Sequence, residues 1–352
     1  MRILLLNWRD LKHPSSGGAE VWAHRIAEGL VLMGHEVTFF AAHVDGVPEE
    51  EIVNGVRVVR RGSRLTVYRE ARKFFQEKPS AFDVILEEIN TRPFFAYTWG
   101  SIPVVHMIHQ VAKDIWKYEA PLPISFIGRY IFEPRWLERL AGKHVMTLSP
   151  SSAESLVEYG IKDAIVALPG SDDSEVVYSG KASTPTVVFL GRLVASKRPD
   201  HVVQAFHYLR NHFPSAELWM LGSGHMKKKL EKDLPAGVTL FGHVSYEERQ
   251  SRLARAHVLV ATTVREGWGL NVSEASAVGT PTIGYDAPGL RDSIPMSGGL
   301  VVPVSSEKLG RALVDFFEGK IELTPKIATQ SWEEVCVQFE TELSRAVKNS
   351  QN

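Results

Sequence analysis

The fold is decided by residues 187–198, which read VVFLGRLVASKR. Four apolar residues, mostly β-branched or aromatic, followed by a glycine and a polar segment are typical of a buried strand that leads into a helix. The preceding residues 169–185 are rich in glycine, serine, aspartate and proline, which favour turns. A new strand-loop-helix series therefore begins in the middle of the chain, and this predicts a second domain.

Short apolar runs alternate with longer amphipathic segments on both sides of this turn-rich region. Before it, the predicted strands are residues 3–7, 36–41, 56–60, 84–89, 103–108 and 144–148, and the predicted helices include 18–33 and 151–159. After it, further strands are predicted at residues 217–221, 238–241, 258–262, 281–284 and 300–302. Such alternation is typical of βαβ units in a mostly parallel sheet. We therefore expect two Rossmann-like α/β domains in tandem.

The end of the chain predicts one long helix. Apolar residues recur there at helical spacing, and Ser331 followed by Glu334 has the form of a capping box. We expect this helix to cross back onto the first domain. The predicted organisation is a first domain at residues 1–168, a linker at 169–185, a second domain at 186–328 and the returning helix at 329–352.

The composition is that of a globular protein with more than one core. The chain has 352 residues, 44% of them hydrophobic, and 40 Lys and Arg residues nearly balance 41 Asp and Glu residues. A chain of this length usually forms two domains, and its near neutrality argues against nucleic-acid binding. Cys336 is the single cysteine, so no intrachain disulfide can form, and we expect this thiol in a core.

The sequence predicts no transmembrane helix, and we expect a cytoplasmic protein. The apolar run at residues 3–6 is too short for the core of a signal peptide. Residues 93–112 carry no Lys, Arg, Asp or Glu, but they include two prolines and two histidines. This composition predicts a loop and a buried strand rather than a membrane span.

Two glycine-containing segments follow predicted strands. Gly17 and Gly18 open an amphipathic helix, where backbone amides and the helix dipole can approach a phosphate, although a plain strand-to-helix turn explains them equally well. Residues 221–224, LGSG, follow another strand, but Lys227 stands where a dinucleotide fingerprint would have its third glycine. Neither segment, and no other in the chain, matches the P-loop pattern.

Charged side chains follow two strands of the second domain. Arg192 and Lys197 come after the strand at 187–190, and together they suit a diphosphate whose charge grows as it leaves; solvated surface charge is the alternative. Glu266 and Glu274 are separated by seven residues in a glycine-containing segment that leads into a helix. In that arrangement the carboxylates can accept hydrogen bonds from hydroxyl groups, and backbone amides of 267–270 can face a phosphate or sugar oxygen.

Taken together, these segments resemble glycosyltransferase family 4, the retaining, nucleotide-sugar-dependent enzymes of the GT-B fold. The resemblance covers nearly the whole chain. The matching pieces are GGAE at 17–20, VVHMIH at 104–109, YGI at 159–161, GRLVASKR at 191–198, LGSG at 221–224, FGHV at 241–244 and EGWGLNVSEASAVGTPTI at 266–283. Two departures are a PGSDD turn at 169–173 without the usual asparagine, and Trp268 where relatives often have Phe. The resemblance implies two Rossmann-like domains facing across a cleft.

The resemblance also implies roles for particular residues. Arg192 and Lys197 would neutralise the departing diphosphate, Glu266 would bind the transferred sugar, and Glu274 would bind the ribose hydroxyls. His109 would lie close to the transferred sugar and the acceptor, with His106 as the other candidate and a structural role as the alternative. The remaining implied donor-binding residues are Gly17, Gly18, Gly222, Val244, Gly267, Trp268, Gly269 and Leu270.

The implied reaction needs neither an enzymic nucleophile nor a cofactor. Retaining enzymes of this type are thought to pass through an oxocarbenium-like transition state in which the departing diphosphate accepts the proton of the acceptor. No D-x-D motif is present, since Asp172 and Asp173 are adjacent. We therefore expect no metal site, and activity that persists in EDTA.

The leading hypothesis is transfer of a hexose from a UDP- or GDP-linked sugar to a hydroxyl acceptor, in the synthesis of a polysaccharide, glycolipid or other glycoconjugate. The alternatives are a noncatalytic nucleotide-sugar-binding protein and another GT-B enzyme, such as a nucleotide-sugar epimerase or a glycan phosphorylase. An NAD-dependent oxidoreductase is a further alternative, which the absent third glycine disfavours.

The acceptor is the least determined partner, with glycans, lipid-linked molecules and small molecules all open. Residues 57–73 carry seven basic side chains against the single acid Glu70, which would attract an anionic headgroup or a phosphate-bearing acceptor. Residues 116–136 are rich in aromatic side chains, as in an interfacial surface. Peripheral contact with the inner membrane surface therefore stays open, with a solvated basic face and buried aromatic residues as the alternative.

Overall fold

The computed structural model describes residues 1–171, 180–327 and 330–351. Packing divides them into two compact units. The first comprises Met1–Val111, Gly128–Gly170 and the chain from Gln330 onward, and the second comprises Ala112–Ile127 and the described part of Ser171–Thr329. Residues 172–179 of the predicted linker, including Asp172 and Asp173, lie outside the described residues.

Within the described residues, the first unit is built on an eight-stranded sheet with the order β3-β4-β2-β1-β5-β6-β7-β8. Its strands are β1 (Arg2–Leu6), β2 (Glu36–Ala41), β3 (Glu50–Val53), β4 (Val56–Arg60), β5 (Val84–Ile89), β6 (Val104–Ile108), β7 (Val145–Thr147) and β8 (Ile165–Val166). Neighbouring strands are parallel except β3 and β4, which form a hairpin. The strands predicted for this half of the chain are confirmed, and β3 and β8 are additional.

Helices cover this sheet because its central strands are apolar on both faces. Ile3, Leu4, Leu5 and Leu6 of β1 are all fully buried, as expected for a parallel sheet with helices on both sides. Before the C-terminal helix, the α-helices of the first unit are α1 (Gly18–Leu32), α2 (Val67–Glu77), α5 (Glu133–Glu138) and α6 (Pro150–Val157). Short 3₁₀ turns span Pro79–Ala81 and Ala96–Thr98, and a π-helical turn spans Gly128–Phe132.

The second unit carries a parallel sheet of six described strands in the order β11-β10-β9-β12-β13-β14. They are β9 (Thr186–Leu190), β10 (Glu217–Leu221), β11 (Val238–Gly242), β12 (Val258–Ala261), β13 (Thr282–Tyr285) and β14 (Leu300–Val302), which confirms the strands predicted for this half. The order reverses on either side of β9, and open α/β sheets bind ligands at such a switch point, outside the carboxyl ends of the strands.

The helices of the second unit are α3 (Trp116–Glu119), α4 (Ile124–Ile127), α7 (Pro199–His212), α8 (Lys227–Leu230), α9 (Tyr246–Arg255), α10 (Leu270–Ala277), α11 (Leu290–Met296) and α12 (Ser306–Phe317), with 3₁₀ turns at Lys113–Ile115, Ala195–Lys197 and Glu231–Asp233. Several of these helices, among them α7, α10, α11 and α12, pack against the sheet of this unit. Phe206 of α7, Leu313 of α12 and Val187 of β9 belong to one buried cluster. In the parts of the chain that the structure describes, no helix is both long and apolar enough to cross a membrane.

The C-terminal helix α13 (Trp332–Gln351) packs on α1 in the first unit, which confirms the predicted return of the chain. The rings of Trp22 on α1 and Phe339 on α13 meet edge to face, with 5.1 Å between their centroids. Cys336 is buried in the same contact, as expected, and burial raises the pKa of its thiol to about 11. Gly29 makes the close approach possible, because a Cβ atom there would lie 2.1 Å from the Cys336 sulfur.

The α1–α13 contact can be tested by adding one methyl group. Gly29→Ala should lower the free energy of unfolding by about 1–3 kcal/mol, the usual cost of overpacking, although alanine favours a helix interior over glycine. Cys336→Ala removes the clashing sulfur and should restore much of the loss in the double variant. Urea unfolding of the wild type, the two single variants and the double variant measures this coupling. If Gly29→Ala lowers the free energy of unfolding equally with and without the Cys336 sulfur, the two residues do not meet.

Candidate active site

The central feature of the second unit is a contact between Lys197 and Glu266. The ammonium group of Lys197 donates a hydrogen bond to Oε1 of Glu266, and each side chain is about one fifth exposed, at 24% and 19%. Lys197 follows β9 and Glu266 follows β12, so the pair bridges two adjacent strands at their carboxyl ends. Opposite charges are thus held together at the switch point of the sheet.

Backbone hydrogen bonds fix the two loops that carry this pair. The hydroxyl of Thr262 donates to the carbonyl oxygen of Lys197 at 2.7 Å, and the amide of Val264 donates to that of Ser196 at 2.9 Å. The carboxamide of Asn271 on α10 donates to the carbonyl oxygen of Leu190 at the end of β9. The ion pair is therefore positioned by the fold rather than by its own flexible side chains.

Arg192 and Gly222 lie on two loops that touch each other. The amide of Leu193, next to Arg192, donates to the carbonyl oxygen of Ser223 at 2.9 Å. A Cβ atom on Gly222 would lie 2.0 Å from the carbonyl oxygen of Gly191, and the φ angle of Gly222 is 132°, so glycine is required there. The guanidinium of Arg192 is exposed and has no ion pair among the described residues.

The loop before α10 brings the remaining predicted donor residues together. Gly269 has a φ angle of 100° and precedes Leu270, the first residue of α10. Trp268 is buried, and its indole nitrogen donates to the hydroxyl of Ser273 at 2.8 Å. Glu274 lies one turn along α10, with Oε2 at 3.6 Å from Nε of Arg249 on α9. Trp268 thus anchors the loop, while Glu274 stays partly exposed.

The two remaining donor-binding residues predicted for this unit are packed against other parts of it. Gly267 is buried in the same loop, and Val244 packs against the cluster that contains Leu221 and Leu259. The amide of Gly222 donates to the carbonyl oxygen of Gly242, which joins the loops after β10 and β11. The fold therefore gathers the donor residues predicted for the second domain at the carboxyl ends of β9 to β12 and at α10.

In the first unit, the amide of Gly17 is already engaged by a side chain of the same loop. It donates to Oε2 of Glu20 at 2.6 Å, while the other oxygen of Glu20 pairs with Arg9 at 2.8 Å. Arg9 also donates to the carbonyl oxygen of Ser15 at 2.7 Å. Gly18 is exposed at the N-terminus of α1, so of the two glycines it is the better placed to offer its amide to a ligand.

His109 follows β6 at the same edge of the sheet. It is buried, its Nε2 hydrogen-bonds Oε2 of Glu88, and its ring meets Trp22 edge to face at 5.2 Å. Glu88 is fully buried, and this burial raises the pKa of its carboxyl group, against the lowering effect of His109. His106 lies deeper, within β6, with Nδ1 at 2.9 Å from the buried carboxylate of Glu87. His109 is therefore the histidine at the carboxyl end of the sheet.

Ion pairs neutralise most of the basic run at residues 57–73. Five of the seven basic side chains form ion pairs with carboxylates: Arg57 with Glu50, Arg60 with Asp10 and Glu51, Arg61 with Glu49, Glu50 and Glu77, and Arg69 and Lys73 with Glu70. Acidic residues before β4 lie beside this segment in space, although they fall outside it in sequence. In the aromatic segment, Tyr118, Phe126, Tyr130 and Phe132 are exposed.

Four charged residues around the predicted site residues of the first unit were not identified from the sequence, namely Arg9, Glu20, Glu87 and Glu88. The G-x-x-E spacing of Gly17 and Glu20 is a signal that could have identified the Glu20 contact, because it matches the reciprocal half of a capping box. Two adjacent glutamates in an apolar strand are a second signal, since a buried carboxylate needs a partner. Within the described residues, no group of three or more His, Cys, Asp or Glu side chains is placed to hold a metal ion.

Comparison with known proteins gives the family. Residues 16–174 match the model of Glycosyltransferase Family 4, and residues 173–330 match that of Glycosyl transferases group 1. An uncharacterised glycosyltransferase of Methanocaldococcus jannaschii is 25% identical over 339 residues, which cover 84% of this chain and 83% of the relative. The chain belongs to this family of retaining glycosyltransferases, and it transfers a sugar from a nucleotide sugar.

Solved structures agree on the fold. Sucrose-phosphate synthase from Thermosynechococcus elongatus superimposes with a TM-score of 0.74 at 19% identity, with 99% of each chain covered. The Anabaena protein HepE, in complex with UDP and glucose, superimposes with a TM-score of 0.70 at 17% identity, with 98% of this chain and all of that chain covered. The chain therefore has the GT-B fold, as the resemblance implies.

Glu88→Gln should raise the melting temperature at neutral pH and lower the turnover. Because burial raises the pKa of Glu88, its contribution to stability is present below the unfolded pKa near 4.5 and is lost as pH rises through the folded pKa. The variant should therefore melt at a higher temperature than the wild type at pH 7.5, and this advantage should vanish near pH 4. If His109 contacts the reacting groups, as the resemblance implies, turnover should nevertheless fall about tenfold or more, because the carboxylate that orients His109 is gone.

Melting curves across this pH range and initial rates at pH 7.5 check both effects. Wild-type turnover in the variant would show that Glu88 does not position His109 for the reaction. A variant that is less stable than the wild type at neutral pH would contradict the electrostatic account of its burial.

Proposed function

We propose that this enzyme transfers a hexose from a UDP- or GDP-linked donor to a hydroxyl group of a glycan, lipid-linked or small-molecule acceptor. The observation that supports this proposal most strongly is the Lys197–Glu266 pair at the switch point of the second sheet. A cation for the phosphates and a carboxylate for the sugar hydroxyls stand side by side there, which matches the two chemical halves of a nucleotide sugar.

Lys197 and Arg192 would stabilise the leaving group. During transfer, the bond between the anomeric carbon and the diphosphate oxygen breaks, and the diphosphate gains a negative charge. Two cations at fixed positions lower the energy of that charged state more than that of the bound donor. The loop bonds at Thr262 and Val264 hold Lys197 in place before substrate arrives.

Retention of configuration follows if the acceptor oxygen bonds to the anomeric carbon on the face from which the diphosphate departs. The acceptor hydroxyl would give its proton to an oxygen of that diphosphate, so charge and atoms balance without an enzymic nucleophile. The Arg and Lys pair would supply the positive charge that a divalent cation supplies elsewhere. We therefore propose that neither a cofactor nor an obligatory metal takes part.

Glu266, the α10 loop and Glu274 would bind the rest of the donor. Glu266 would accept hydrogen bonds from hydroxyls of the transferred hexose, and the amides of Gly267 to Leu270 would face sugar or phosphate oxygens near the positive end of α10. Glu274, whose contact with Arg249 is long at 3.6 Å, would accept bonds from the ribose hydroxyls. The complex of HepE with UDP and glucose supports a hexose of a nucleoside diphosphate as the donor.

The acceptor would bind to the first unit, where His109 lies at the carboxyl edge of the sheet. His109, oriented by Glu88, would contact the transferred sugar and the acceptor. A pathway of polysaccharide, glycolipid or other glycoconjugate synthesis is consistent with these parts. The exposed aromatic residues of 116–136 keep a peripheral membrane contact among the hypotheses.

Two isosteric variants test the assigned roles. Lys197→Met and Glu266→Gln should each lower turnover by about 100- to 1,000-fold, since each removes an electrostatic interaction with the transition state. Lys308→Met and Glu307→Gln on the exposed face of α12 are the matched controls and should keep normal rates. Near-normal turnover in Lys197→Met or Glu266→Gln would refute the proposed role of that residue, provided that melting curves show intact folding.

A further inference from the structure

Three loops of the first unit place cationic and aromatic side chains at one edge of the sheet. Trp8 and Arg9 follow β1, Arg64 follows β4, and Arg92 follows β5. These strands lie in the contiguous order β4-β2-β1-β5 and run parallel, so their carboxyl ends meet at the same edge. Nothing in the proposed donor chemistry uses these residues.

The side chains form one cluster in space. The guanidinium carbon of Arg92 lies 4.3 Å from the ring centroid of Tyr68, in the first turn of α2. The guanidinium carbons of Arg9 and Arg64 lie 4.3 Å and 5.6 Å from the centroid of Trp8. Aromatic faces attract guanidinium groups without neutralising them, so the rings orient the cations and leave their charge available.

Arg64 and Arg92 have no carboxylate partner among the described residues. Both are exposed, and within the described residues neither side chain forms an ion pair or a hydrogen bond. Arg57, Arg60 and Arg61, in and directly after β4, are all paired with Glu or Asp. Arg9 is paired with the buried carboxylate of Glu20. Two guanidinium groups are thus left for an external anion.

Tyr68 adds a neutral hydrogen-bond donor between these cations. Burial raises the pKa of its hydroxyl to about 12, while Arg92, Arg64 and Arg9 act to lower it, so the hydroxyl keeps its proton at neutral pH. Its ring packs against Phe94, with 4.7 Å between the centroids, and the hydroxyl has no hydrogen-bond partner in the described parts of the chain. The residue also lies in the first turn of α2, where the helix dipole favours an anion.

We propose that Arg64, Arg92 and the Tyr68 hydroxyl bind a phosphate group of the acceptor. Two planar guanidinium groups and one phenol offer enough donors for the oxygens of a phosphate dianion, and more than a single carboxylate needs. As an acceptor site, this inference rests on the proposed function. The phosphate belongs either to a soluble sugar or polyol phosphate or to a lipid headgroup, and molecules of both kinds carry hydroxyl groups that can accept a sugar.

Phosphate binding can be measured without any donor. Titration calorimetry with inorganic phosphate and glucose 6-phosphate, and glucose as the neutral control, tests a soluble source. Co-sedimentation with phosphatidylinositol vesicles, against phosphatidylcholine vesicles, tests a lipid source. The proteins are the wild type, Arg64→Gln/Arg92→Gln, Tyr68→Phe and Arg72→Gln, the last being an exposed arginine of α2 outside the cluster.

The double variant should bind the phosphate probe at least about tenfold more weakly than the wild type, Tyr68→Phe should bind it several-fold more weakly, and Arg72→Gln should bind it normally. No binding of phosphate, glucose 6-phosphate or phosphatidylinositol vesicles by the wild type, or equal binding by the double variant, would overturn the proposal. Binding of UDP and GDP is measured in parallel. Nucleotide binding without phosphate binding defeats this inference alone, whereas the reverse defeats the proposed function and leaves the phosphate site standing.

Discussion

Parallel strand pairing is the constraint on which the rest of the structure depends. In a parallel sheet every strand ends at the same edge, and every following helix begins there, so loops far apart in sequence become neighbours. In the second unit, the loops after β9, β10, β11 and β12 carry Arg192, Lys197, Gly222, Val244 and Glu266 to one edge. In the first unit, the loops after β1, β4, β5 and β6 do the same for Gly18, Arg64, Arg92 and His109.

Buried carboxylates organise the edge of the first sheet. Glu20, Glu87 and Glu88 are all fully buried, which is costly unless each finds a partner. Glu20 binds the Gly17 amide and Arg9, Glu87 accepts from the amides of Phe95 and Ala96, and Glu88 meets His109. These contacts fix the loops at the carboxyl edge of the first sheet. The second unit instead uses the Lys197–Glu266 pair, partly exposed and therefore accessible to a ligand.

Most of the architecture could be predicted from the sequence, because apolar runs of strand length indicate buried strands. The predicted strands of both halves and the return of the C-terminal helix are confirmed. The hairpin of β3 and β4 escaped prediction because the residues Glu50–Val53 are half exposed and include two glutamates. The Asn54-Gly55 turn, with φ angles of 47° and 84°, was the available signal.

Contacts between distant segments could not be predicted in the same way. Arg57, Arg60 and Arg61 of the basic run at 57–73 pair with carboxylates that only the tertiary fold brings near, and a local charge count does not include these. Residues 112–127 pack with the second unit, where the hydroxyl of Ser196 donates to the carboxylate of Glu119 at 3.3 Å. The hydrophobic periodicity of the sequence does not predict a contact of this kind. Identifying donor-site residues required the motif resemblance, since isolated glutamates and lysines are usually surface residues.

Calorimetric titration of the protein with UDP, GDP and NAD, in buffer that contains EDTA, tests whether a nucleoside diphosphate binds without metal. The proposed metal-free donor site predicts that UDP or GDP binds at one site per chain, that NAD does not bind, and that Arg192→Gln weakens nucleotide binding about tenfold or more, as loss of a charge-assisted contact should. Binding of NAD alone, binding of no nucleotide, or an affinity unchanged by Arg192→Gln would contradict it.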